Sequence, residues 1–299
     1  MSDHPSFMSV LTTWSFEPQI VLILALTGVL YAVGLRELGR RGKLWRLVQR
    51  RQVLFFALGL LSLTLALLSP LDTYDTRLFS LHMAQHLILQ QVAPPLLLLG
   101  NPIPVFLAGL PLSLVRPVMR AHRRTPWLHG LTHLLRLPAI AWLAYVGSVL
   151  GWHIPVVYDA TLVHPGLHLL EHLCFIASGI LFWWVVIEPQ SGPVRRHPGL
   201  RLVFAASTML PMILLGGVFA LPETVLYPTL AGHAPLWGLA PIDDQRLGGI
   251  VMWLLGMPID LVAASVLFFA MMRDTGAGQA SHAARPAEEL SDFSLFLRR

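Results

Sequence analysis

Seven apolar blocks set what this chain can fold into. They fall at about 19–35, 52–69, 79–99, 137–152, 166–187, 202–220 and 249–271. A helix rises about 1.5 Å per residue, so blocks of roughly this length suffice to cross about 30 Å of hydrocarbon. None of them alternates apolar and polar residues with a period of two. Helices are therefore expected rather than a barrel, because a lipid-exposed backbone must satisfy its own hydrogen bonds. With 55% hydrophobic and 12% charged residues the chain lies outside the range of soluble domains. The expected fold is all-α: a polytopic membrane protein with seven transmembrane helices in one domain, 19–272. A segment 1–18 precedes it and a polar tail 273–299 follows.

The sequence pI near 10.0 would suit a nucleic-acid partner, but the placement of the basic residues argues for topology instead. Segment 36–51 holds seven Lys or Arg, 111–136 five, 188–201 three and the tail after 272 four, against only Arg77 and Arg246 elsewhere. Basic residues collect on the cytoplasmic side of a membrane. The amino terminus is thus expected outside and the carboxyl terminus inside. Residues 1–18 contain no Lys or Arg, so the first block reads as an uncleaved anchor rather than a secretory signal. The single cysteine, Cys174, excludes an internal disulfide framework and a multi-thiolate metal site. The single lysine, Lys43 in an inner loop, excludes a retinal Schiff base.

On this topology the clustered histidines lie at the outer ends of the helices. The third block opens FSLHMAQHLILQQ, which sets His82 and His86 one turn apart on one face, with Gln85 beside them and Gln90 below. The fifth opens HPGLHLLEH, repeating that spacing with His164, His168 and His172 and adding Glu171 three residues after His168. Both blocks start outside and run inward, so the two pairs are expected at similar depth. The fourth block delivers Trp152 and His153 to the same surface, followed by Tyr158 and Asp159. His4 and His233 are also outer, while His122, His129, His133, His197 and His282 are inner. A lone histidine at a helix end is ordinarily an interfacial residue. Two HxxxH pairs in an apolar setting point to a metal or cofactor site, because intramembrane ionisable groups face the bundle interior and mark function.

Other polar residues have structural readings. Pro94, Pro95, Pro102 and Pro104 are expected to kink the third helix and then end it. Trp183, Trp184 and Trp253 read as belt anchors or packing residues, and Met209, Met212, Met252 and Met257 as core filler, with Met83 and Met252 worth attention. Asp72, Asp75, Asp243 and Asp244 are positioned to orient an imidazole, although exposed aspartates are ordinarily solvated. Asp260 lies deep in the seventh block with no evident partner.

Three separated stretches, HMAQHLILQQVAPPLLLLGNP, WHIPVVYDATLVHPGLHLLEHLCFIASGILFWW and DDQRLGGIVMW, resemble the CtaG family of caa3-type cytochrome c oxidase assembly factors over about residues 70–260. The resemblance implies a seven-helix, multi-pass protein of the bacterial inner membrane that is not an enzyme. It would help mature a haem-copper oxidase by supplying copper. Carried onto this chain, the family pattern implies metal-site roles for His82, His86, His153, His168, Glu171, His172, Asp244 and Met252, with His164 the least family-typical.

Imidazole binds copper, zinc and iron alike, so histidines alone do not select the metal. The resemblance selects a copper ion, received at the outer histidine cluster and passed to oxidase subunits or a copper carrier, a metallochaperone role with no nucleic-acid partner. Because imidazoles must be deprotonated to ligate, such a site weakens as pH falls below about 6.5. Two other chemistries use the same residues. One is a membrane-embedded zinc-dependent hydrolase with Glu171 as general base; the other is a bis-histidine haem protein.

Overall fold

A computed structural model of the chain describes residues 7–135, 137–187, 197–232 and 238–273. His4, His233, His282 and the tail from residue 274 lie outside the described residues. The described residues are overwhelmingly helical and contain no strand. Five helices are long and apolar enough to cross a membrane: Pro18–Arg40, Arg50–Tyr74, Pro165–Ile187, Pro198–Ala220 and Pro241–Arg273. Two bent pairs, Phe79–Leu99 with Pro102–Gly109 and Pro126–Leu135 with Pro138–Trp152, bring the number to seven if each pair is one span. The seven blocks of the sequence thus appear as five helical spans, two of them briefly broken at Ser69 and at Ser207–Thr208, and two bent units, and the chain is a multi-pass membrane protein. Each helix is referred to below by its first residue.

Proline punctuates the fold. Pro18, Pro102, Pro138, Pro155, Pro198 and Pro241 each stand in the first turn of a helix. There the missing N–H is no loss and the ring presets the backbone dihedral. Between Leu99 and Pro102 the chain turns through Asn101 at φ 44°, and the Pro102 helix leaves at 67° to the Phe79 helix.

The Phe79 helix sits at the centre, packed against the Arg50, Pro165 and Pro241 helices. Its prolines act differently from a simple kink. Pro94 cannot donate to the Gln90 carbonyl four residues back, and the helix widens into a π-turn over Ile88–Val92 just before it. The freed Gln90 carbonyl accepts the Trp183 indole N–H at 3.1 Å. Trp183 is therefore a buried strut and not a belt anchor. Gly179 allows this approach: a Cβ there would stand 2.6 Å from the Gln90 oxygen.

Glutamines of the same helix tie its neighbours to it. Gln90 donates to the Tyr145 carbonyl and to the Ser148 and Ser178 hydroxyls, and Gln91 donates to the Tyr145 hydroxyl. Apolar packing fills the rest. One core gathers Phe79, Met83, Tyr158, Phe175, Phe219 and Met252 around the start of the Phe79 helix. A second holds Tyr145, Phe182, Trp183 and Leu267 further along. Leu22, Ile23, Leu26 and Val29 of the Pro18 helix remain exposed, as expected of a surface that meets lipid rather than water.

Candidate metal centre

The Phe79 and Pro165 helices each present two imidazoles to the other. His82 and His86 have ring centroids 4.1 Å apart, and His168 and His172 4.2 Å apart. Across the helix interface His82 lies 5.2 Å from His168, and His86 5.8 Å from His172. The i, i+4 spacing sets the spacing along each helix, and the matched depth of the two helices sets the spacing across. The result is a ladder of two rungs.

Glu171 stands inside the ladder. Its Oε2 is 3.6 Å from His82 Nε2 and its Oε1 is 3.6 Å from His86 Nε2. Asp75, in the connection before the Phe79 helix, places Oδ2 3.4 Å from His168 Nε2. Two trios bring ligand atoms within 4.8 Å of one another: Asp75, His168 and His172, and His82, His168 and Glu171. His168 belongs to both.

Burial makes this arrangement costly without an occupant. His82 and Glu171 are fully buried and Asp75, His86 and His172 nearly so. The Nε2 atoms of His82, His86, His168 and His172, both Glu171 oxygens and Asp75 Oδ2 have no hydrogen-bond partner. Buried polar atoms are ordinarily satisfied, and orphaning even one costs about 1–3 kcal/mol. Separations of 3.4–3.6 Å are too long for hydrogen bonds. They leave space at the centre for a cation that nitrogen lone pairs and carboxylates can share. The donor set fits a transition-metal ion. Burial, with Asp72 nearby, pushes the Asp75 carboxyl up to about 8.

His153 backs the ladder, its ring 5.8 Å from that of His86. Its Nδ1 donates to the Val149 carbonyl at 2.6 Å, which leaves the Nε2 lone pair facing Met83 Sδ at 3.1 Å. Burial pushes this imidazole down to about 4, so it is neutral at physiological pH. The Tyr227 hydroxyl donates to the His153 carbonyl at 3.1 Å and fixes the turn.

A model for the family of cytochrome c oxidase caa3 assembly factors matches residues 29–274. The chain belongs to that family. Uncharacterized proteins of Mycobacterium bovis and Mycobacterium tuberculosis are each 28% identical to it over 270 residues, which is 88% of this chain and 40% of theirs. One of Mycobacterium leprae is 26% identical over 253 residues, 83% of this chain and 38% of its own. The chain thus spans about two fifths of the length of these curated relatives. No solved structure matches it.

In this CtaG-type protein the sequence-derived site residues divide into groups. His82, His86, His168, Glu171 and His172 converge, and His153 touches them. His164 is exposed at the mouth of the Pro165 helix and outside the ladder. Asp244 is engaged elsewhere: Oδ2 accepts the Phe79 N–H at 2.6 Å, and Oδ1 accepts the Ser80 N–H at 3.1 Å and the Ser80 hydroxyl at 2.5 Å. It caps the helix that carries His82, a placement favoured by the helix dipole. Gln245 beside it accepts from the Leu226 N–H and donates to the Phe219 carbonyl. Met252 packs in the core with Met83 and Phe175.

Sequence reasoning gave Asp75 only an orienting role and named Tyr158 without a function. Asp75 is as close to an imidazole as Glu171 is, and the Tyr158 ring lies 5.0 Å from His82 with its hydroxyl unpartnered. The one signal for Asp75 was an acidic residue just upstream of a histidine-bearing helix.

Proposed function

We propose that the chain is an assembly factor of the bacterial inner membrane that takes up one copper ion at the histidine ladder and supplies it to a haem-copper oxidase subunit or to a carrier serving it. The family supports the oxidase connection. The observation that carries the copper reading is the convergence of buried, unpartnered imidazole nitrogens from two helices around Glu171.

Copper is the cargo here, so the site must load and unload it. His168 retains 17% exposure of its side chain while Glu171 retains none. An arriving ion meets Asp75 and His168 first, then moves by exchange of ligands toward His82 and Glu171. His168 is common to both steps, which lets the ion move without losing all its ligands. Imidazole and carboxylate are reversible ligands, suited to release. On the topology expected from the basic residues, this end of the bundle faces the extracytoplasmic side.

The test is metal analysis of the purified full chain after loading with copper and desalting. Wild type is expected to retain copper and the double variant His168→Ala/His172→Ala to lose the fraction held by nitrogen. Equal copper in both rejects the reading. Retention of zinc in preference to copper would favour the hydrolase chemistry, since zinc accepts the same donors. An absorption band of bound haem in the same sample would favour the bis-histidine haem reading instead.

A further inference from the structure

A second polar group lies deeper in the bundle and has no part in the ladder. Asp260 of the Pro241 helix is only 4% exposed, and no hydrogen bond or ion pair holds it among the described residues. It lines a small cavity, ≈ 10 Å³ of free space, at the lower limit of what holds one water. An ion without its hydration shell fits there and an organic ligand does not. The lining is unusually rich in sulfur: Met209, Met212, Met252 and Met257 all contribute to it.

Methionine alone is ordinary core filler. Two independent features set this group apart. Gln91 Oε1 is unpartnered, and a Cβ at Gly256, on the cavity wall, would meet it at 3.0 Å. Gln91 itself is 2% exposed. The cavity also lies between two π-turns, Ile88–Val92 and Met252–Gly256, which contribute Gln91 and Met252 respectively. π-turns are rare and concentrate at functional sites.

We propose that Met209, Met212, Met252 and Asp260 form a second metal site, for one Cu(I) ion, with the Gln91 carbonyl oxygen as a further donor and Met257 at its rim. Thioethers are soft ligands and select Cu(I) over hard cations. A single carboxylate neutralises a monovalent ion, whereas a divalent one would leave net charge in the apolar interior. Gln91 stands five residues beyond His86, about 7 Å along the helix, so the site lies just below the ladder. The inference deepens the copper reading and rests on it for the choice of cargo.

The test uses Ag(I), a redox-inert stand-in for Cu(I), with the full chain in lipid nanodiscs. Bound silver is counted after desalting and its neighbours are read by X-ray absorption. Wild type is expected to show both sulfur and nitrogen neighbours. Met209→Leu/Met212→Leu, a near-isosteric change that cores tolerate well, is expected to lose the sulfur signal and to bind at the deep site at least tenfold more weakly. Asp260→Asn is expected to weaken binding there similarly without removing a thioether. The His168→Ala/His172→Ala variant is expected to keep the sulfur-bound silver and lose the nitrogen-bound fraction. Unchanged silver content and spectra in both the methionine and the Asp260 variants overturn the proposal. Wild-type silver in the histidine variant, with loss in the methionine variant, would reject the ladder and leave this site standing.

Discussion

Asp75 Oδ2 stands 3.4 Å from His168 Nε2, both atoms buried and neither hydrogen-bonded. The connection before the Phe79 helix therefore adds a carboxylate to a candidate site otherwise built from two helices. Asp75→Asn keeps the shape and removes the charge. We expect copper affinity to fall about 10- to 100-fold, the usual effect of losing a carboxylate partner of a ligating imidazole. Thermal stability of the metal-free protein should be unchanged or slightly higher, because a buried carboxyl is removed. Copper titration alongside thermal unfolding in detergent checks both; unaltered affinity would remove Asp75 from the site.

On the proposed copper reading, the orphaned groups of the ladder make the metal-free protein the less stable form. An ion that binds only the folded state at a concentration of 100 Kd stabilises it by about 2.7 kcal/mol. Copper should therefore raise the unfolding temperature of wild type, and a chelator should reverse the rise. In Glu171→Gln the shift should shrink, and in His168→Ala/His172→Ala it should fall to the part contributed by the deeper methionine site. A shift of equal size in all three proteins would mean that copper binds elsewhere.

The parts of this molecule legible in its sequence are those set by local spacing. Apolar block length gave the helices, and the HxxxH repeats gave His82 with His86 and His168 with His172 on single faces. Their meeting across the interface followed from the two helices running the same way. What spacing does not carry is the path of a connection or the destination of a long-range hydrogen bond. Asp75 entered the site through the shape of a short turn, and Asp244 became a cap because its helix begins beside Phe79. The π-turn at Ile88–Val92 was hidden because proline announces a lost hydrogen bond and not how the neighbouring helix replaces it.

Asp244 and Asp243 are adjacent in sequence yet differ in what they hold. Asp244→Ala would leave the Phe79 and Ser80 N–H groups and the Ser80 hydroxyl without their acceptor. The expected cost is about 2 kcal/mol, the upper end for loss of a helix cap. Copper affinity should also fall, since His82 is carried one turn beyond that cap. Asp243 is 58% exposed at its side chain and only loosely paired with Arg246 at 3.8 Å. Asp243→Ala should therefore stay within about 0.5 kcal/mol of wild type. Chemical unfolding of the two variants in detergent separates them, and equal destabilisation would contradict the capping role.

The contact between Trp183 and the Gln90 carbonyl tests how the proline-widened segment is held. Pro94 supplies no N–H to that oxygen, so the indole at 3.1 Å is its replacement donor. Trp183→Phe keeps an aromatic ring and removes the donor, and should cost about 1–2 kcal/mol, within what interhelical hydrogen bonds contribute in membranes. Gly179→Ala should cost at least as much, because its Cβ would lie 2.6 Å from the same oxygen and 2.8 Å from Pro94 Cγ, forcing the two helices apart. That separation would displace His172 relative to His86, two turns away on the same pair of helices, so copper affinity should fall in Gly179→Ala more than in Trp183→Phe. Unfolding and copper titration of both variants measure this directly. A Gly179→Ala protein with wild-type stability and affinity would show that the helices do not depend on close approach at this level.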